Sequence, residues 1–280
     1  IYLDHVLVIE KAPRDTEEFK GRLATKFAMK DLGEVKYYLG CYLGRERVNK
    51  TLTVHQRVYT KSIVNRFDVV KMSDSPSSSG MILSKQNCPK SEEEKSSMMN
   101  IPSMEAMPTT TRPDIASIVR NVARYCENLG KQHWKAVTNV FGHLQDTSER
   151  GLMYGRESRK MTMAGYAATD FGTDLDARCL VSGGVVMLGG VAISWFSRIQ
   201  ISFMEATVEE HCITIFEDNG EAAKLAQHLG SNHRSKHIDL RYHFIWQLVQ
   251  EKKTNVVHVD TGLQHAGVLT KALDVTRFGR

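Results

Sequence analysis

The apolar positions divide the chain into stretches with different periods. Tyr2-Leu3 and Val6–Ile9 flank the polar pair Asp4-His5, which predicts two strands joined by a polar hairpin tip. Phe19, Leu23 and Phe27 recur every fourth residue, so 15–29 reads as a helix opened by Asp15, Glu17 and Glu18. Strands are expected over 35–43 and 52–54 around Asn49-Lys50, then a helix over 56–67 carrying Val58, Ile63, Val64 and Phe67. Residues 73–110 lose periodicity: serines over Ser73–Ser79, acids at Glu92-Glu93-Glu94, and scattered Met and Pro read as linker and loops. Helix signals return at Arg112-Pro113-Asp114, with Pro in the first turn, and predict helices over 114–127 and 131–145. Beyond residue 160, short strands at 163–168, 183–188 and 191–196 form an antiparallel meander turning at Gly183-Gly184 and Gly189-Gly190. A strand over 213–216, helices over 222–229 and 239–253, a strand over 255–259 and a helix over 266–273 complete it. Strands first, then an alternating half, give an α/β (α+β) chain with a three-layer plan around a mixed sheet.

Composition narrows the class. The chain has 280 residues, 41% hydrophobic and 25% charged, which excludes collagen-like, coiled-coil and disordered chains. No apolar run approaches a membrane span, and the acid at Asp4 does not fit a secretory leader, so an intracellular protein is expected. The missing initiator Met reads as a piece of a longer protein. Five scattered cysteines without a CxxC pair indicate neither a disulfide framework nor a cysteine-rich zinc site. The chain carries 37 basic and 32 acidic side chains, a net charge of +5, and residues 1–72 alone hold fourteen basic against nine acidic.

Three constellations carry candidate chemistry. Asp4 at a hairpin tip is either a solvent-exposed turn residue or a metal-holding carboxylate. Asp218 ends the strand Ile213–Phe216 just before a helix, so it is either a helix N-cap or a metal ligand at the carboxyl end of a strand. His228, His233, His237 and His243 lie among Arg234, Lys236 and Arg241. That cluster reads as a zinc site, as a basic loop facing nucleic acid, or as plain surface; the cations favour a phosphate backbone over a metal. Trp134 and Trp195 read as core or interface anchors.

In order along the chain, these motifs resemble the C-terminal part of the Pol polyprotein of Ty1/copia-type retrotransposons. Tyr2-Leu3-Asp4-His5 is similar to the Tyr-Val-Asp-Asp polymerase box. Phe27-Ala28-Met29-Lys30-Asp31-Leu32-Gly33, Thr111-Arg112-Pro113-Asp114-Ile115-Ala116 and His133-Trp134-Lys135-Ala136-Val137 follow in place. So do Ala192-Ile193-Ser194-Trp195, Lys236-His237-Ile238-Asp239-Leu240-Arg241-Tyr242-His243 and Leu269-Thr270-Lys271. The resemblance implies the end of a reverse transcriptase palm with its thumb over 1–72, linker and connection helices over 73–159, and a truncated ribonuclease H-like domain over 160–280. Its implied chemistry is two-magnesium phosphodiester transfer. Its implied partners are RNA, RNA–DNA hybrid and other Pol segments, with no membrane and no small-molecule cofactor.

The departures bear on activity. His5 replaces the second box aspartate, so Asp4 alone remains of the polymerase carboxylates, beside an imidazole that suits magnesium poorly. Of the four ribonuclease H acids the resemblance implies, the first position holds Ala168, with Asp170 at a later acid of the motif. The second holds Thr207, with Glu205 two residues off, and the fourth holds Gly267. The third, Asp218, is retained. The expectation is a Pol fragment related to reverse transcriptase and ribonuclease H that lacks a competent site. The alternatives are a non-catalytic hybrid-binding module using Arg234, Lys236 and Arg241, or a residual magnesium-dependent ribonuclease H.

Overall fold

A computed structural model describes residues 6–9, 13–67, 72–77, 81–98, 107–155, 162–170, 176, 181–199, 213–227 and 246–271. The first helix, α1 (Pro13–Ala24), starts on a proline whose fixed φ suits a first turn, but none of its described residues is buried. Val6–Ile9 form no strand. A run of apolar residues becomes a strand only where a neighbouring strand takes up its backbone groups, and none of the described strands pairs there.

The next strands are β1 (Tyr37–Tyr38), β2 (Cys41–Glu46) and β3 (Thr51–His55). They form an antiparallel ladder, with Leu39, Gly40 and Lys50 in left-handed turn conformations. The fourth strand, β4 (Leu152–Tyr154), pairs with β3 although it lies about 100 residues further on, beyond four α-helices. Three residues give too short a pattern to read in sequence, and it was not anticipated. Helix α2 (Arg57–Arg66) follows β3 and buries Thr60, Ile63 and Val64.

The described part of the segment expected to be linker includes short helical elements and packed side chains. It contains a 3-10 turn at Lys85–Asn87 and helix α3 (Glu92–Met98), and it delivers Leu83 and Met107 into the larger core. Its serines satisfy one another: Ser73 Oγ donates to the Ser75 carbonyl and Ser75 Oγ to the Ser77 carbonyl, which lets Ser75 and Ser77 be buried. Small polar residues that close their own hydrogen bonds give no periodic signal, yet they pack. The predicted helix over 114–127 is broken into a 3-10 turn (Pro113–Ile115), α4 (Ala116–Ala123) and a second 3-10 turn (Cys126–Asn128). Helix α5 (Lys131–Asp146) matches its expected span and packs between α2 and α4. The core between them holds Ile63, Val122, Val137, Val140, Phe141 and Leu144, edged by Trp134. Phe67 stacks on Phe141, with ring centres 4.3 Å apart.

The last third is a five-stranded mixed sheet in the order β7-β6-β5-β8-β9. Strands β5 (Met163–Asp170), β6 (Val181–Leu188) and β7 (Val191–Ile199) form an antiparallel meander. Strands β8 (Ile213–Glu217) and β9 (Thr254–His258) lie parallel to β5 on its other side, with helix α6 (Gly220–Gln227) between them in sequence. Gly189-Gly190 form the expected turn with positive φ. Gly183-Gly184 do not turn; they lie inside β6. A Cβ on Gly183 would come 2.8 Å from Leu269 Cβ, and one on Gly184 would come 2.4 Å from the Phe196 ring, so close packing explains these glycines.

The two sheet faces carry separate apolar clusters. Ala168, Val185, Ala266 and Leu269 cover one, with Trp195 and Ala116 at its border; Ala223, Ala226 and Val256, joined by Ile215 and Val249, cover the other. Alternation along β5 and β8 produces this division, because Tyr166 and Phe216 face one way and Gly165 and Ile215 the other. The sheet is therefore the middle of three layers, and the chain belongs to the α+β class. Of the helix expected over 239–253, residues 246–250 are helical, 251–253 are not, and 239–245 lie outside the described residues; the described part of the helix expected over 266–273 is a 3-10 stretch, His265–Leu269.

Candidate functional site

The middle of the mixed sheet is where its direction changes: β5 has an antiparallel neighbour on one side and a parallel one on the other. Carboxyl ends of parallel strands at such a place form crevices in open α/β sheets. Register sets Ala167 level with Glu217, and Glu217 level with His258. Asp170 ends β5 two residues past Ala168, on the same face. Its Oδ2 is buried and has no hydrogen-bond partner among the described residues.

Past Glu217 the chain turns into α6, and the structure settles which residue caps that helix. Asn219 Oδ1 accepts from the backbone N–H groups of Glu221 (3.1 Å) and Ala222 (3.3 Å). Asn219 is the cap and Asp218 is not, so the capping alternative for Asp218 is overturned. Glu217 Oε1 accepts from the Asn219 N–H at 3.1 Å. Burial pushes the Glu217 carboxyl up to about 7; the Asn219 N–H works against this, and the charge of neighbouring Asp218 adds to it. In sequence Glu217 was only the residue before Asp218, and nothing marked it as the perturbed member of the pair.

A second element closes over the strand ends. Gln264 Nε2 donates to the carbonyls of Ala167 (2.7 Å) and Phe216 (3.3 Å), and its Oε1 accepts from the Ala266 N–H (3.1 Å). One side chain thus ties β5, β8 and the 3-10 stretch together. Tyr166 stacks on Phe216, and His265 meets the Tyr166 ring edge-on at 4.6 Å. Ala266 and Leu269 are then fully buried in one cluster with Ala168. At Gly267 an added Cβ would meet nothing within 4 Å. Gln264 was not singled out as a working residue in sequence; the signal was a long amide side chain directly before a small-residue turn.

Three of the four acid positions implied by the resemblance can thus be located. Ala168 lies on the sheet face covered by the 3-10 stretch, Gly267 lies within that stretch, and Asp218 directly follows β8. Only Asp218 carries a carboxylate. The second position, Thr207 with its neighbour Glu205, lies outside the described residues, as do Asp4, His5, the histidine cluster, Arg234, Lys236 and Arg241. Among the described residues no group of three or more His, Cys, Asp or Glu could hold a metal ion. The described residues at this end of the sheet do not form a set that fits a two-magnesium centre, which needs several carboxylates to offset the repulsion between the cations.

Comparison with known proteins agrees with the motif order. The chain is 30% identical, over 99% of its length, to the retrovirus-related Pol polyprotein from transposon TNT 1-94 of Nicotiana tabacum. It is 25% and 26% identical, over 99% of its length, to those from transposons RE2 and RE1 of Arabidopsis thaliana. These are copia-type elements. The chain is thus similar to copia-type Pol polyproteins over nearly its whole length. It spans only 23%, 21% and 21% of those three relatives. No family model matches the chain, and no solved structure does. No helix among the described residues is long and apolar enough to cross a membrane.

Proposed function

We propose that this chain is the segment of a copia-type Pol polyprotein running from the end of the reverse transcriptase region through a ribonuclease H-like domain, and that it does not cleave RNA in this copy. On this reading 1–72 corresponds to the palm end and thumb, 73–159 to linker and connection helices, and 160–280 to the ribonuclease H-like part. The mixed sheet supports the last assignment, with its antiparallel meander followed by strands parallel to the first. The observation that carries the reading is that two of the implied acid positions hold Ala168, inside an apolar cluster of the sheet, and Gly267, in the 3-10 stretch over it, so neither supplies a carboxylate. Asp218 remains, and a lone carboxylate does not assemble two cations. No catalytic step through magnesium is derived for these residues.

The test uses the purified chain on a labelled RNA–DNA hybrid with magnesium, beside Asp218→Asn, with cooperative thermal unfolding as proof of folding. The expected result is no magnesium-dependent cleavage by either protein. Cleavage by the parent that disappears in Asp218→Asn overturns the proposal. The same samples report binding: hybrid affinity that falls with salt and with Lys236→Ala, yet survives Asp218→Asn, would identify a non-catalytic binding module.

A further inference from the structure

His143 lies in the last turn of α5 and is fully buried. Its Nε2 is 3.1 Å from Asp114 Oδ2, and its Nδ1 is 3.2 Å from the carbonyl oxygen of Ser73. Asp114 also receives two groups of Arg112: Nε at 2.9 and 3.1 Å, and Nη2 at 2.6 Å. Burial alone would raise the Asp114 carboxyl, but hydrogen bonds from His143 and Arg112 outweigh it and hold the group well below the usual carboxylate range. Asp114 is therefore an ionised acceptor, and a backbone carbonyl has no proton to give.

Both ring nitrogens of His143 thus face oxygens that only accept. A neutral imidazole has one N–H, so one nitrogen lone pair would oppose an oxygen lone pair in a place closed to water. The C-terminal end of α5 adds partial negative charge, which favours a cation there. We infer that His143 is a buried imidazolium, a proton-dependent pin that fastens both the Ser73–Ser77 strap and the Pro113–Ile115 turn to α5. The contrast on the same helix is instructive. His133 Nδ1 accepts from the Gly130 N–H (3.1 Å), so its proton is on Nε2, which donates to the Ser84 carbonyl (3.2 Å). One helix therefore carries two fully buried histidines in opposite charge states.

Among the described residues, these charged groups lie on the elements around the pin. Arg112 and Asp114 face it from the turn, and Arg112 is further anchored on the Thr147 carbonyl (3.1 Å) and hydroxyl (2.6 Å). Asp74 on the strap and Asp146 on α5 are exposed. On the helices packed against α5, Arg57 and Lys61 of α2 pair with Glu149, and Arg120 of α4 bonds Asn121. With a proton on each ring nitrogen, one side chain holds both the strap, through Ser73, and the turn, through Asp114, to the end of α5.

The test is two-bond proton–nitrogen correlation on the full chain with 15N-labelled histidine near neutral pH. His143 should show both ring nitrogens protonated, and His133 the neutral Nε2–H form. A neutral His143 overturns the inference. Assignment comes from loss of the signal in His143→Gln or, if that variant does not fold, from sequential assignment through Leu144 in the parent.

Discussion

Replacing Gly130 with alanine tests whether the 73–110 segment is packed structure or loose connection. Gly130 precedes the first residue of α5 in an extended conformation, φ −101° and ψ 174°, that alanine adopts freely, so any cost comes from contact. A Cβ there would lie 1.8 Å from the Asn87 carbonyl oxygen and 2.9 Å from its carbon, both backbone atoms. Restoring ordinary contact at about 3.4 Å requires the Lys85–Asn87 turn to retreat by roughly 1.5 Å. That retreat pulls on the His133 bond to Ser84 (3.2 Å), the Tyr125 hydroxyl bond to Leu83 (3.1 Å), and the two contacts of the Lys85 N–H with Asp176 (2.9 and 3.0 Å). At about 1 kcal/mol for each bond lost, and with Leu83 drawn from the core, Gly130→Ala should cost about 3 kcal/mol, a large share of an ordinary domain's stability. Gly267→Ala is the control, because nothing lies within 4 Å of its new methyl group, and it should stay within about 0.5 kcal/mol of the parent. Denaturant unfolding midpoints of the three proteins measure this. A Gly130→Ala midpoint equal to the parent's would refute the packing.

Two further predictions concern the end of the mixed sheet. Glu217 keeps in the fold a proton that the unfolded chain releases from about pH 4.5, because its carboxyl is lifted to about 7; stability therefore falls as pH rises through that window, and the deficit is complete above it. At about 1.4 kcal/mol per pH unit the ceiling is about 3 kcal/mol, which solvent screening of a half-buried group lowers to about 1–2. Glu217→Gln keeps the acceptor for Asn219, so urea unfolding should find it more stable than the parent at pH 8 and no different at pH 4; equal stability at pH 8 refutes the assignment. Gln264→Ala removes both bonds that tie β5 and β8 to the 3-10 stretch and should cost about 1–3 kcal/mol, with faster amide exchange at Ala266; unchanged exchange there would show that the clamp carries nothing.

What the sequence revealed and what it hid follow from the range of the interactions. The meander, the parallel pair and α5 were legible because each has a local period long enough to read: β7 runs nine residues and α5 sixteen. Strand β4 was hidden because its existence depends on β3, about 100 residues away in the chain. Gly183-Gly184 were misread because the same residue type serves a turn and a close approach, and only the position of Leu269 distinguishes the two. At the candidate site, Asp218 was legible as a carboxylate after a strand. The Asn219 cap, the perturbed Glu217 and the Gln264 clamp required the register of β5 against β8. The strap's serines look like linker composition, and only their mutual bonds and the contact with His143 show otherwise.

The two positions where the resemblance implies acids, Ala168 and Gly267, differ in packing, and the difference bears on how this sheet end is built. Ala168 sits in an apolar cluster with Ala266 and Leu269, under a 3-10 stretch that Gln264 and the glycine at 183 hold close. A carboxylate there would be buried against methyl groups unless a cation came with it, and an unpaired buried charge costs several kcal/mol. Gly267 faces open space, so a side chain at that position meets no packing at all. The close packing over Ala168 therefore depends on the absence of an acid, whereas the openness at Gly267 is indifferent to it. A single substitution at 267 leaves the layer intact but adds only one ligand beside Asp218. Rebuilding the position at 168 means displacing part of the apolar cluster that now covers this face of the sheet. At Ala168, then, the described residues favour apolar packing over a buried carboxylate.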